Sequence, residues 1–219
     1  MFVNRFIRIL PLVIILSGCE TTLNAPSPEP KKTTTQPTPV VKNKTEEVVE
    51  HIPPISAQAL DDVWGRIKAQ LSFADSSHPA VQKRIAWYLT HPNYMDEISR
   101  RAEPYLYYIV NEVEKRGLPI ELALMPLIES DFDASAYSHK HASGLWQLTP
   151  AIAKYFKVQI SPWYDGRQDV IDSTRAALDF MEYLHRRFDG DWYHAIAAYN
   201  LGEGRVLRAI SNNKKQGKP

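Results

Sequence analysis

Cysteine is almost absent from the 219 residues: Cys19 is the only one. One thiol cannot close a disulfide within the chain or supply a zinc site built on several thiolates. Net charge is also nearly absent, +1 from 26 basic and 25 acidic residues. Phosphate binding shows as an excess of Lys and Arg, so the composition makes the chain a poor candidate for a general nucleic-acid binder. No apolar run is long enough to span a bilayer, since the stretch Ile9 to Leu16 is too short. Aromatic residues are missing between Phe6 and Trp64. Strand-like alternation and internal repeats are lacking. There is no G-x-S-x-G motif, no catalytic Cys–His pairing and no phosphate-cradling glycine loop.

The positions of the few exceptions are informative. Arg5 and Arg8 precede the short apolar stretch, which is the layout of a secretory leader. Leu16-Ser17-Gly18-Cys19 resembles the bacterial lipobox, where cleavage before the cysteine leaves it to be acylated. Residues 1–18 are therefore expected to be a lipoprotein signal peptide, and Cys19 the lipidated N-terminus. Multiple acyl chains anchor a domain firmly to a membrane. Losing Arg5 and Arg8 leaves 24 basic residues against 25 acidic, a net charge of −1. Glu20 follows the cysteine; by resemblance to sorting rules, a residue other than Asp there implies the outer membrane, with the protein facing the periplasm.

From Glu20 to Pro54 the chain is rich in Pro, Thr, Lys and Glu, and seven of its 16 prolines lie here. Such a segment cannot bury enough surface to offset chain entropy. Residues 19–55 read as a disordered, partly polyproline tether, able to reach on the order of 100 Å when extended.

Residues 56–219 read as one all-α domain of seven to nine helices. All 5 tryptophans and 11 tyrosines lie between Trp64 and Tyr199. Leu60, Val63, Trp64, Ile67 and Leu71 follow the spacing of one helix face. Pro79, Pro92 and Pro150 suit first helical turns. Gly117 suits a helix end, and Pro104 implies a kink or a break. Pro119 is expected to open a helix running to Ser130. Asp169 and Asp191 read as N-caps, Asp169 for a long helix with Val170, Ala177, Leu178, Met181, Leu184 and Phe188 on its apolar face.

The Pro119 segment carries the main chemical signal. Leu118, Leu122 and Met125 share a face with Ile128 or Glu129, so Glu129 projects from the apolar side near a helix C-terminus. Desolvation and the helix dipole both raise the pKa of such a carboxyl group. A carboxylic acid kept protonated near neutrality suits general acid catalysis on a glycosidic bond. A solvated surface glutamate is the competing reading from position alone. His139 and His141 lie two apart in a polar loop without a carboxylate at helical spacing, so no metal and no cofactor is expected.

Glu129-Ser130, Gly144-Leu145-Trp146-Gln147 and Ala198-Tyr199-Asn200, in this order, resemble the signature motifs of the soluble-lytic-transglycosylase-type, lysozyme-like family. Further similarity lies at Leu118–Leu122, Tyr164–Val170, Phe188–Trp192 and Gly202–Val206. The resemblance implies a lysozyme-like fold that cuts bacterial peptidoglycan. It implies that Glu129 is the catalytic acid/base, hydrogen-bonded by Tyr199, with Ser130, Gly144, Trp146, Gln147 and Asn200 at the substrate. Trp163, Tyr164 and Trp192 are further candidates for the glycan groove, with core packing the favoured role for the two tryptophans. The most similar members continue into LysM wall-binding repeats, which are absent from these 219 residues.

The implied reaction cleaves the β-1,4 bond between N-acetylmuramic acid and N-acetylglucosamine, forming 1,6-anhydro-N-acetylmuramic acid. The implied partners are glycan strands and, through Cys19, a membrane; nucleic acid is not one. A lysozyme-type hydrolase using Asp131 or Asp133 as second carboxylate, and a non-catalytic wall-binding lipoprotein, are the alternatives. The leader yields a direct test. A fatty-acid analogue should label the protein in cells, and Cys19→Ala should lose the label; persistent labelling would move the acylation elsewhere.

Overall fold

The computed structural model describes residues 57–74 and 76–218. The expected leader, Cys19 and the tether lie outside the described residues. Nine α-helices occur among those described: α1 Ala57–Gln70, α2 Pro79–Leu89, α3 Pro92–Ala102, α4 Leu106–Lys115, α5 Met125–Ser130, α6 Pro150–Tyr155, α7 Val170–Arg187, α8 Trp192–Leu201 and α9 Glu203–Lys215. A 3-10 helix, Ile120–Leu124, leads into α5. Backbone pairing of β type is confined, among these residues, to three isolated bridges. No described helix is long and apolar enough to cross a membrane.

The punctuation follows local chemistry. Proline opens α2, α3 and α6, where a missing N–H costs nothing. Thr149 caps α6 and Asp191 caps α8. Around Pro104 the chain breaks between α3 and α4. The expected single helix from Pro119 to Ser130 is divided instead. Pro126 has no N–H for the carbonyl of Leu122, and its ring crowds that carbonyl. The turn before it tightens, and Met125 N bonds Leu122 O as the 3-10 segment ends.

The 18-residue α7 is the central element, packing against α4, α6 and α8. Its Ala177, Leu178, Met181 and Leu184 are fully buried. They meet Ala195 and Ala198 of α8, and Leu106, Ile109 and Val113 of α4, in one core. Each large side chain so buried contributes roughly 1.5–3 kcal/mol. The Arg116 guanidinium ties the end of α4 to α7, at 2.7 Å from Asp179 Oδ1. In the 3-10 segment that follows, buried Glu121 accepts from the backbone N–H groups of Ser72 (2.5 Å) and Phe73 (2.8 Å). The segment after α1 is thereby held to the 3-10 helix that leads to Glu129.

Asp169 Oδ1 accepts from both Ile171 N and Asp172 N at 2.9 Å. Asp169→Ala should therefore lower stability by about 1 kcal/mol, read from the urea midpoint at unchanged slope.

Candidate active site

Glu129 lies in the last turn of α5, and the chain reverses immediately after it. Asp131 (φ 52°) and Phe132 (φ 56°) are both left-handed. Asp131 N and Phe132 N return to the carbonyls of Leu127 and Pro126, at 3.3 and 3.2 Å. Left-handed residues other than glycine are strained. Here burial of the Phe132 ring, 1% exposed, offsets the strain.

The Ser130 hydroxyl lies 2.9 Å from Leu145 O and 3.1 Å from Pro126 O. It links α5 to the loop 143–148. That loop is closed by paired bonds between Ser143 and Leu148, N–H to O in both directions. Inside it, Gln147 N donates to Gly144 O, and the Gln147 side-chain amide reaches the same carbonyl at 3.0 Å.

The loop is held from beneath. Arg167 is buried, pairs with Asp165, and donates through Nη1 to His141 O at 2.6 Å and Leu148 O at 3.2 Å. Gly144 sits on the Arg167 backbone at φ 79°. A Cβ there would lie 1.9 Å from Arg167 O, so only glycine fits.

Two residues expected at the substrate are placed in the core of the loop. The Trp146 side chain is fully buried, and its Nε1 donates to Thr174 Oγ1 at 3.0 Å. Gly144 is required for backbone close approach. Both support the loop from the core side. The Tyr199 hydroxyl has a different partner from the one expected. It donates to Trp146 O at 2.7 Å, not to Glu129, because it has one proton and this carbonyl takes it. Burial, and then the neighbouring Glu129 charge, push the Tyr199 pKa well above 10. Trp163, expected in the core, is 95% exposed on the loop before Tyr164. Trp192 is partly buried and stacks on His185 at 3.9 Å.

Glu129 Oε1 is buried and has no hydrogen-bond partner. A buried acceptor left unpaired is costly for a carboxylate and tolerable for the neutral acid. Burial raises the Glu129 pKa to about 7, while a hydrogen bond from the exposed Asn200 side chain pulls it down. The two following carboxylates are engaged elsewhere. Asp131 accepts from the Tyr94 hydroxyl at 2.6 Å. Asp133 accepts from Ser135 Oγ and Ser135 N at 2.7 and 2.8 Å, which holds its pKa below the usual range. The group contains one isolated acid, one amide donor and a rigid loop. It can deliver a proton near neutrality and take one back.

Sequence reasoning missed Glu121, Thr174 and the Arg167–Asp165 clamp. The Tyr164–Val170 segment was the one signal of the clamp.

Residues 107–219 match the family model described as the transglycosylase SLT domain. A protein of Alteromonas sp. (strain M-1) named for tributyltin chloride resistance is 86% identical over 132 residues, covering 60% of this chain and 63% of that protein. Membrane-bound lytic murein transglycosylase D of Escherichia coli K12 is 41% identical over 157 residues, covering 72% of this chain and 35% of that protein. Membrane-bound lytic murein transglycosylase C of Glaesserella parasuis is 32% identical over 141 residues, covering 58% and 38%. The aligned regions thus span 63% or less of the length of each of these relatives.

The Glu129 environment makes stability depend on pH. The folded chain keeps this proton up to about pH 7, against an ordinary value of 4.5. Between those values the folded state holds more protons than the unfolded one, so the ionisation penalty grows with pH and levels off above 7. Glu129→Gln removes that penalty. Its stability gain should be near zero at pH 4.5 and reach roughly 1–3 kcal/mol above pH 7, as measured by denaturation across pH.

Proposed function

The chain belongs to the transglycosylase SLT domain family, whose fold is all-α and lysozyme-like, and from that premise we propose that it is a peptidoglycan lytic transglycosylase. Protonated Glu129 donates to the glycosidic oxygen between N-acetylmuramic acid and N-acetylglucosamine, and the C1–O bond breaks. The muramoyl C6 hydroxyl attacks C1 of its own sugar. The Glu129 carboxylate takes the hydroxyl proton and is restored as the acid. Water is neither consumed nor released, and the product ends in 1,6-anhydro-N-acetylmuramic acid.

The observation that carries this reading is the single isolated carboxyl group, with one oxygen buried and a pKa near 7. Retaining and inverting hydrolases work with a pair of carboxylates. Here Asp131 and Asp133 are held by Tyr94 and Ser135. Neither contributes to the Glu129 pKa, which burial and Asn200 set. A nucleophile tethered within the substrate acts at high effective molarity and needs no second enzymic base.

In this proposal Glu129 is the catalytic acid/base and Asn200 orients its carboxyl group. Tyr199, Ser130 and Gln147 are positioning residues that fix the loop over the site. The substrate is the glycan strand. A lipoprotein leader over 1–18, acylated Cys19 and a tether to residue 55 would hold the domain at the outer membrane, facing the periplasm. The membrane-bound names of the transglycosylase relatives support membrane association.

Purified protein incubated with sacculi should release muropeptides ending in 1,6-anhydro-N-acetylmuramic acid, lighter by one water than hydrolytic products and without new reducing ends. Glu129→Gln should abolish release at unchanged fold. Predominantly reducing-end products on mass spectrometry would make the protein a hydrolase and return attention to Asp131 and Asp133.

A further inference from the structure

A run of aromatic rings starts at the Glu129 site and ends in solvent. The Tyr199 ring centroid lies 5.3 Å from Phe180. Phe180 lies 6.3 Å from Tyr183, one helical turn on, with their planes 20° apart. Tyr183 lies 6.3 Å from Tyr155, and Tyr155 lies 4.9 Å from Phe156. Phe156 returns to Phe180 at 5.6 Å, which closes the group. Burial falls along the run. Tyr199, Phe180 and Tyr183 are partly buried, whereas Tyr155, the last residue of α6, is 65% exposed.

A single exposed aromatic is ordinary on a protein surface. This one differs in its continuity, ring by ring, with the candidate acid. The Tyr183 ring is also fixed. The Tyr183 hydroxyl donates to Glu203 Oε2 at 3.0 Å, and Glu203 Oε1 accepts from Arg187 Nε at 2.6 Å. Lys157, at φ 59°, turns the chain just after Tyr155 and Phe156. Ring contacts with Phe156 and Tyr183 limit the freedom that Tyr155 would lose on binding.

Pyranose rings carry a face of C–H groups that stacks on aromatic rings, while their hydroxyls stay in water. We infer that Phe180, Tyr183 and Tyr155 form a sugar-stacking platform holding a glycan residue beyond the bond at Glu129. The protein thereby favours strands longer than the disaccharide unit it cuts. The inference rests on the proposed action on peptidoglycan. Exposed Lys154 and Lys157 next to Tyr155 suit it, because the stem peptides of that polymer carry carboxylates.

The test uses oligosaccharides of alternating N-acetylglucosamine and N-acetylmuramic acid, titrated calorimetrically into the Glu129→Gln protein. Tyr155→Ala, added to that background, should weaken octasaccharide binding by about three- to tenfold and tetrasaccharide binding much less. Tyr155→Phe keeps the ring and should restore the octasaccharide affinity. Unchanged octasaccharide affinity in Tyr155→Ala, or an equal loss at both lengths, would overturn the platform and leave the proposed reaction standing. Tyr155-dependent binding to phosphatidylglycerol vesicles with unchanged octasaccharide affinity would overturn it in favour of a membrane contact. If the parent binds neither oligosaccharide and wild-type protein leaves sacculi intact, the proposed function itself falls.

Discussion

A carboxyl group with one oxygen shut away from water and from every hydrogen-bond donor is the constraint around which the site is arranged. Ionising Glu129 without a partner for Oε1 is expensive, so the proton stays to near neutrality. Such a group survives only where the surrounding structure prevents it from turning into solvent. The left-handed pair Asp131-Phe132 ends α5 at once, and the buried Phe132 ring fixes that reversal. The Ser130 hydroxyl then joins the helix end to the carbonyl of Leu145. Local strain, core burial and a single hydroxyl bond together hold the acid in place.

The loop 143–148 is held almost entirely through its backbone. Trp146 offers its carbonyl to Tyr199 and buries its ring; Gly144 offers its bare Cα to Arg167. Arg167 in turn bonds the carbonyls of His141 and Leu148 at the two ends of the segment. A loop made this way cannot shift without breaking charge-assisted bonds in a buried setting, which are among the stronger ones available to a protein. In the proposed reaction its rigidity suits proton transfer, where small displacements of the donor are costly. The motif letters Gly-Leu-Trp-Gln thus describe a scaffold in which Gln147 alone keeps a partly exposed side chain.

In the proposed reaction, the distribution of carboxylates separates the chemistry of this site from that of a two-carboxylate hydrolase. Asp131 and Asp133 follow Glu129 closely in sequence. The chain reversal that isolates Glu129 also turns Asp131 toward Tyr94 and folds Asp133 onto Ser135. One backbone feature therefore both protects the acid and disarms its neighbours.

Much of the architecture was legible in the sequence because it rests on local rules. Proline at first turns, Asp169 and Asp191 as caps, the break around Pro104 and the apolar stripe of α7 are short-range effects, so residue type and spacing suffice. The apolar face expected to carry Glu129 assumed one continuous helix; Oε1 is buried although that segment divides. The division of the 119–130 helix at Pro126 was also a local effect, but the expected helix overlooked it. What no local rule contains is which partner each polar atom meets. Whether Tyr199 bonds Glu129 or Trp146 O is decided by the approach of α8 to a loop 53 positions earlier in the chain. The burial of Trp146 depends on Thr174, and the necessity of Gly144 depends on the backbone of Arg167. The sequence determined an all-α domain and singled out Glu129 within it. Tertiary structure decided the wetness of that acid, because desolvation and hydrogen bonding are properties of the groups packed around a residue and not of the residue itself.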